Sequence, residues 1–135
     1  MRFLTLKETN AVLPEIEAIL EQMDLHVARE GELSDLVEDM EAYWGEDIEE
    51  PTNPEHEKYK RLHSDLAAVT SVVQECVVSI HNLGGHLKSY EQGLVDFFCT
   101  RGGRPVFLCW QRGEERVEYY HELDAGFQGR KPITA

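Results

Sequence analysis

Two long runs of apolar residues with helical spacing, separated by one loop, constrain the fold of this chain more than any other feature. In residues 14–44 the apolar positions recur every three or four residues, which places them along one side of an α-helix. In residues 59–83 the same spacing persists for more than three heptads, as in the seam of a coiled coil. The loop between them, residues 45–54, contains glycine and two prolines. The two helices are therefore predicted to pair as a long antiparallel hairpin.

Individual residues mark where these helices begin and where they are weak. Thr5 and Glu8 have the spacing of a capping box, so the first helix should begin there. Pro14 lacks a backbone N–H and is predicted to interrupt or kink that helix, and Gly31 weakens its middle by about 1 kcal/mol relative to alanine. Asn53 is a favourable N-cap and is followed by proline, which suits the first position of the second helix.

After the glycine pair at residues 84–85, the pattern changes from helical to the type found in β-strands. The strand candidates are rich in β-branched and aromatic residues and are separated by glycines. They are residues 94–99, 104–112 and 117–123, with a short fourth candidate at residues 86–89. The tail, residues 124–135, has the composition of turns.

Together these patterns predict an α+β fold, a long antiparallel helical hairpin followed by a small three- or four-stranded antiparallel sheet. The chain length suits a single domain, residues 1–135, with the hairpin in residues 1–84 and the sheet and C-terminal tail in residues 85–135. Helices this long leave apolar surface that so short a sheet cannot cover. We therefore expect a homodimer or higher oligomer that forms through the helical hairpin.

The charge of the chain excludes one class of partner. The formal net charge is -13, opposite in sign to that of a protein that binds nucleic acid through its phosphates. Residues 30–57 hold twelve acidic residues and no lysine or arginine, whereas residues 101–131 hold six basic residues. The acidic stretch is interpreted as a solvated helix surface. The alternative is electrostatic pairing with a partner or between subunits.

The sequence also predicts a cytoplasmic protein without a membrane anchor. No apolar run approaches the roughly 20 residues that span a bilayer, and residues 1–8 are charged too early for a secretory signal. The three cysteines form no CxxC pair, which fits free thiols in a reducing compartment. The missing ligand pairs also exclude a zinc finger or zinc ribbon.

The predicted turns decide which side chains share a face of the sheet. A two-residue turn at residues 102–103 pairs Asp96 with Cys109. A turn of two or four residues around Gly113 puts His121 on the face of Trp110, whereas a loop with an odd number of residues would reverse that assignment. The face expected to pack on the helices carries Val95, Phe97, Cys99, Val106, Leu108, Trp110, Val117, Tyr119, His121 and Leu123. The opposite face carries Asp96, Phe98, Phe107, Cys109, Gln111, Glu118, Tyr120 and Glu122.

The segments GLVDF at residues 93–97, LCWQRGE at 108–114 and YYHELDAGFQGR at 119–130 together resemble DUF2203, a bacterial family of domains of unknown function. The amino-terminal residues 3–14 are also similar to that family, so the resemblance covers nearly the whole chain. This chain has Tyr120 where the family commonly has tryptophan. The resemblance implies a shared fold and a bacterial origin, and it implies no activity.

His121 and Cys109 are the first candidates for chemistry. His121 is interpreted either as a core histidine with one ring nitrogen hydrogen-bonded, or as a base or metal ligand with a helical partner such as His63 or His81. The carboxylates expected beside Cys109, those of Asp96 and Glu118, would raise the pKa of its thiol. A buried thiol is therefore favoured over the nucleophile of a Cys–His hydrolase.

Two further groups of residues offer weaker signals. Asp96, Glu114, Glu122 and Asp124 carry the oxygen ligands that suit Mg²⁺, Ca²⁺ or Mn²⁺, although scattered carboxylates are expected in so acidic a chain. Arg130, in a glycine-rich turn, either clamps a carboxylate or phosphate, or pins the tail by pairing with Glu114 or Asp124.

No complete catalytic set is present, so the sequence assigns no catalytic residue. The first hypothesis is a non-catalytic, homo-oligomeric interaction or scaffold protein of the bacterial cytosol. The alternative is a metal- or small-molecule-binding protein, with or without enzymatic activity, whose site lies in the C-terminal sheet; its metal, cofactor and other partners are left open. The candidate ligand-binding residues are Asp96, Cys109, Trp110, Glu114, Tyr120, His121, Glu122 and Arg130.

Overall fold

Two long helices are followed by a small sheet, as the sequence predicts for an α+β fold. The computed structural model of the protein describes residues 2–134. Helix α1 spans Leu6–Trp44, a 3-10 turn spans Gly45–Glu49, and helix α2 spans His56–Asn82. In the described chain, neither helix is long and apolar enough to cross a membrane.

The start of α1 is fixed by the predicted capping box. The Glu8 N–H donates to Oγ1 of Thr5 at 3.1 Å, and the Thr5 N–H donates to Oε1 of Glu8 at 2.9 Å. The predicted interruption at Pro14 is wrong, because α1 continues through it. An internal proline costs about 3 kcal/mol, but Leu13 and Ile16 are buried beside it. Each such burial contributes about 1.5–3 kcal/mol, which outweighs that cost.

The described residues form two compact units. The first, here called the helical unit, is Leu20–Cys76. Its core is a cluster of apolar side chains from both helices and the 3-10 turn: Leu33, Val37, Ile48, Tyr59, Leu62 and Val69. The Tyr59 hydroxyl donates to Oε2 of Glu41 at 2.8 Å. At the start of α2, Oδ1 of Asn53 accepts the Glu55 N–H at 2.8 Å, as predicted for an N-cap.

The second unit, here called the sheet unit, contains the chain up to Ile19 and from Val77 onward. It groups the start of α1 and the end of α2 with the sheet, so the units do not divide at residue 84. The prediction of a single domain stays a prediction.

Within residues 2–134 the sheet has five antiparallel strands in the order of the sequence. They are β1 (Gly85–Ser89), β2 (Leu94–Arg101), β3 (Arg104–Gln111), β4 (Tyr119–His121) and β5 (Lys131–Pro132). The predicted count of three or four is too low, since β5 lies in the tail that was expected to contain only turns. Strand β4 is shorter than the predicted residues 117–123. Before its first residue, the Val117 N–H donates to Oδ1 of Asn10 at 2.8 Å.

One face of the sheet forms the core of the sheet unit. Val95, Phe97 and Val106 are fully buried, as expected from the strand alternation. Gly85 lies directly against this core: a Cβ atom there would come within 2.9 Å of Cγ2 of Ile80 and 3.0 Å of Cγ1 of Val95. The opposite face of the sheet carries the candidate site.

Candidate functional site

The pairing of β3 with β4 places His121 on the same face as Cys109. Phe107 is directly opposite His121, and Cys109 is directly opposite Tyr119; residues directly opposite each other in an antiparallel pair share a face. The predicted assignment of His121 and Tyr119 to the core face is therefore wrong. Between the end of β3 at Gln111 and the start of β4 at Tyr119 lie the seven residues 112–118. This odd number reverses the parity that a turn of two or four residues would give.

The hairpin of β2 and β3 has the predicted pairing and adds Asp96 to the site. Asp96 is directly opposite Cys109, through the glycine turn at residues 102–103. Asp96, Cys109 and His121, here called the Asp–Cys–His cluster, are at most 4% exposed. One ligand atom from each of them lies within 4.8 Å of the other two. A carboxylate, a thiol and an imidazole thus converge in the interior of a short sheet.

The hydrogen bonds of His121 define what its ring can bind. The Nδ1 atom lies 2.7 Å from the Glu122 carbonyl oxygen. A carbonyl only accepts, so Nδ1 carries a proton and donates it. The Nε2 atom then faces Oδ2 of Asp96 at 3.0 Å. The ring is oriented by its own backbone, and its Nε2 atom points into the cluster.

The Cys109 thiol is protonated in this environment. Burial raises its pKa, and the charge of Asp96 raises it further, to about 12, whereas the Arg130 guanidinium opposes the rise. A thiol with so high a pKa is a poor nucleophile at neutral pH. This agrees with the expectation that the chain is not a Cys–His hydrolase.

The Asp–Cys–His cluster lies at the bottom of a cavity of about 210 Å³. The walls are apolar and come from β2, β3 and the tail: Leu94, Phe107, Leu123 and Phe127. Lys88 also lines the cavity, with its Nζ atom 4.9 Å from the centre of the Phe107 ring. The cavity therefore combines a polar floor, apolar walls and one ammonium group.

Strand alternation places Lys88 on the face of the Asp–Cys–His cluster. His86 is directly opposite Asp96, and Lys88 lies two positions after it in β1. A bulge begins here, since Leu87 is opposite Val95 and Ser89 is opposite Leu94, which leaves Lys88 without a partner in β2.

Arg130 holds the tail that forms one wall of the cavity. Its guanidinium stacks on Tyr119 at 4.1 Å and on Phe127 at 4.7 Å. Its Nη2 atom donates to Oε1 of Glu114 at 2.8 Å and to the Cys109 carbonyl at 3.2 Å. Of the two predicted roles for Arg130, these contacts correspond to pinning the tail through Glu114.

Two other candidate residues lie on the opposite face of the sheet. Trp110 is buried there, and its indole N–H donates to the Glu114 carbonyl at 2.9 Å. Tyr120 is directly opposite Leu108, and the Arg101 guanidinium lies 4.4 Å from the centre of its ring. Both residues have structural contacts and neither lines the cavity.

The predicted carboxylate set is not assembled within residues 2–134. Glu122 pairs with Arg104 at 2.7 Å on the surface, and the Arg104 guanidinium lowers the pKa of that carboxyl. Glu114 is paired with Arg130 as described, so Asp96 is the one member of the set that joins the cluster. The proposed helical partners of His121 are also elsewhere: the ring of His63 packs on Tyr59, and the ring of His81 packs on His86.

Lys88, Leu94, Phe107 and Phe127 are cavity residues that the sequence did not single out. Lys88 reaches this face through the pairing of β1 with β2, which no pattern in residues 86–89 predicts. Phe107 is on the predicted face, but the sequence does not show which other side chains lie beside it. Only a loop with an odd number of residues between β3 and β4 brings His121 to this face.

Comparisons with known proteins give a family and no activity. A family model described as "Uncharacterized conserved protein (DUF2203)" matches residues 2–133. Neither the curated proteins nor the solved structures contain a match to this chain. The function is therefore argued from the site itself.

Proposed function

The chain belongs to the DUF2203 family, and we propose that it binds a divalent transition-metal ion, with Zn²⁺ as the best fit, through Asp96, Cys109 and His121. The observation that carries this proposal is the convergence of three buried side chains, each with a different metal-ligating atom, within 4.8 Å of one another. Buried groups of this kind are costly unless they are paired or bind an ion.

The donor set favours Zn²⁺ over the harder cations considered from the sequence. Thiolate and imidazole ligands suit zinc and related transition metals, whereas Mg²⁺ and Ca²⁺ prefer oxygen ligands alone. Three protein ligands leave the fourth position of a tetrahedral ion open. In this chain the open position would face the cavity. Metal sites with an open position polarise a bound molecule or activate a water, so the proposal is compatible with enzymatic activity.

The hydrogen bonds around His121 support the same proposal. Metal-binding histidines usually donate their second ring N–H to a carbonyl or carboxylate, which fixes the tautomer and the ring orientation. The Nδ1–H of His121 already donates to the Glu122 carbonyl, which leaves Nε2 as the ligand atom. An ion would replace the direct contact between Nε2 and Oδ2 of Asp96.

The distances require only a small closure. Two ligand atoms of a tetrahedral zinc ion lie about 3.3–3.6 Å apart, given Zn–N and Zn–O bonds of about 2.0–2.1 Å and a Zn–S bond of about 2.3 Å. The separation of Nε2 from Oδ2 of Asp96, 3.0 Å, is close to that range. The ligand atoms, the Cys109 sulfur included, lie within 4.8 Å of one another, so side-chain movements of about 1 Å bring all three into range. The ion would also remove the proton from Cys109, since a coordinating thiol is deprotonated.

Metal titration of the purified, metal-free protein tests the proposal. We expect one Zn²⁺ or Co²⁺ ion per chain, with the Co²⁺ form showing the absorption of a cobalt–thiolate bond. The variants Cys109→Ser and His121→Gln should lose this absorption and most of the affinity. Cys99→Ser is the matched control, because Cys99 is a free thiol of the same sheet outside the cluster. A wild-type chain that binds no ion, or a Cys109→Ser variant that binds as tightly as wild type, would contradict the proposal.

A second candidate function is the homo-oligomeric interaction protein expected from the sequence, with a second copy of the chain as the partner. The observation that favours it is the exposure of large apolar side chains in the helical unit: Leu25 is 75% exposed and Tyr43 is 79% exposed. Light scattering at micromolar concentration tests it, with Leu25→Glu and Tyr43→Glu expected to shift any oligomer toward monomer. A monomeric wild-type chain would count against this candidate.

The proposal also puts the protein in a reducing compartment, the bacterial cytoplasm. Its support is that Cys76, Cys99 and Cys109 are all free thiols, and that a thiol ligand must stay reduced to bind a metal. Fractionation of cells that express the tagged protein tests this assignment. Recovery of the protein outside the cytoplasmic fraction would contradict it.

A further inference from the structure

The ammonium of Lys88 is the feature of the cavity that metal binding leaves unused. Its Nζ atom lies over the ring of Phe107, 4.9 Å from the ring centre, and within the described part of the chain no carboxylate pairs with it. The aromatic ring limits where the ammonium can lie. Lys88 therefore presents a positive charge to whatever enters.

The charges around the cavity add up to that of Lys88. Among the described residues that line the cavity, Lys88 is the one lysine or arginine. With Zn²⁺ bound, two positive charges would be balanced by the carboxylate and the thiolate, so the ion and its ligands would carry no net charge. The net charge of the groups that line the cavity would then be the single positive charge of Lys88.

The size and lining of the cavity indicate how large and how apolar a bound molecule can be. The volume of about 210 Å³ corresponds to about seven water molecules at about 30 Å³ each. It suits a molecule of roughly five to ten non-hydrogen atoms, and it is too small for a nucleotide. The walls are aliphatic and aromatic, so the body of the molecule should be apolar.

We infer that the cavity binds a small organic carboxylate, with its anionic group on Lys88 and its apolar body between Phe107 and Phe127. This inference rests on the proposed function, because the bound ion at the floor of the cavity is what would act on such a molecule. A lysine recognises an anion as a compact point charge, without the paired geometry that arginine imposes. One group with a single negative charge is therefore enough to pair with the ammonium of Lys88.

Matched pairs of acids and amides test the inference. The protein is titrated with isobutyrate and benzoate and, separately, with isobutyramide and benzamide, with amide chemical shifts as the readout. The Zn²⁺-loaded and metal-free forms are both titrated, because a carboxylate can bind the open position of the ion only in the loaded form. In the metal-free form, each carboxylate should bind about tenfold more tightly than its amide, because it alone pairs with the ammonium. That preference should disappear in Lys88→Met and persist in Lys88→Arg. Lys7→Met is the control, since Lys7 is an exposed lysine of the same unit outside the cavity.

The outcomes separate the inference from the metal proposal. Zinc content is measured on every sample before titration. If the wild-type chain holds no zinc, the metal proposal fails, and the same titrations on the metal-free protein decide the inference alone. A carboxylate preference that depends on Lys88 supports the inference in either state. In the metal-free form, equal affinities for acid and amide, or a preference that survives Lys88→Met, would overturn it.

Discussion

Replacing Arg130 by methionine should destabilise the sheet unit far more than the loss of an ordinary surface ion pair. Methionine keeps most of the aliphatic stem of arginine and removes the guanidinium. In the native protein, this group donates to both Oε1 and Oε2 of Glu114, at 2.8 and 3.1 Å. It also stacks on the rings of Tyr119 and Phe127. The side chains of Arg130 and Glu114 are only 13% and 25% exposed.

The magnitude follows from these contacts. A hydrogen bond to a charged group contributes about 1.5–3 kcal/mol, and each partly exposed cation–π contact contributes about 0.5–1 kcal/mol. The contributions overlap because they share one guanidinium. The buried Nε atom of Arg130 has no hydrogen-bond partner within residues 2–134. Leaving this atom unpaired costs about 1 kcal/mol or more, which reduces the net stabilisation by the guanidinium. We therefore expect Arg130→Met to lower the free energy of unfolding by about 2–4 kcal/mol.

Arg104→Met is the matched control on the same sheet. Arg104 pairs with Glu122 at 2.7 Å, but its side chain is 54% exposed. Exposed pairs contribute about 0–1 kcal/mol and are screened by salt. Urea denaturation measures both variants, with and without 1 M NaCl, and is followed by tryptophan fluorescence in a Trp44→Phe background, so that Trp110 in the sheet unit is the reporter. Equal losses of stability in the two variants, or a cost for Arg130→Met that vanishes in salt, would refute this reasoning.

Three further predictions concern packing, alkaline pH and the helix cap. Gly85→Ala should lower the free energy of unfolding by about 1–3 kcal/mol through overpacking, since its Cβ would meet Ile80 at 2.9 Å. Gly31→Ala should instead raise the free energy of unfolding by about 0.5–1 kcal/mol, because a Cβ there has no neighbour within 4 Å. Thermal unfolding of the two variants compares these effects. Burial raises the pKa of Cys109 from 9.0 to about 12, so the folded thiol keeps a proton that the unfolded thiol loses. The stability of the metal-free protein should therefore fall between pH 9 and 12, less steeply in Cys109→Ser, as urea titrations at several pH values would show. Thr5→Ala should cost about 1 kcal/mol by removing the cap of α1, and an unchanged thermal midpoint would contradict that role.

The sequence predicted those parts of the fold that depend on local signals. The capping box at Thr5, the N-cap at Asn53 and the glycine turn between β2 and β3 are set by residues within a few positions of one another. That turn also gave the correct pairing of Asp96 with Cys109. Periodicity alone separated the helices from the sheet.

The sequence did not predict the site, because contacts between residues that are far apart in the sequence form it. The side chain of Asn10 accepts the N–H of Val117, which lies 107 positions away in the sequence. This bond holds Val117 in the loop between β3 and β4, and the register of the two strands puts His121 on the face of Cys109. The sequence alone favoured a turn of two or four residues, which put the two residues on opposite faces. Pro14 was misjudged for a similar reason, since the burial of its neighbours could not be weighed from the sequence.

The central claim is that a single metal ion is held by Asp96, Cys109 and His121 together. X-ray absorption at the zinc edge of the loaded protein tests it most directly, because it counts the ligand types around the ion. The account predicts one sulfur ligand at about 2.3 Å and nitrogen or oxygen ligands at about 2.0–2.2 Å, with the sulfur absent from the spectrum of Cys109→Ser. A zinc environment made only of oxygen and nitrogen in the wild-type protein would contradict the account.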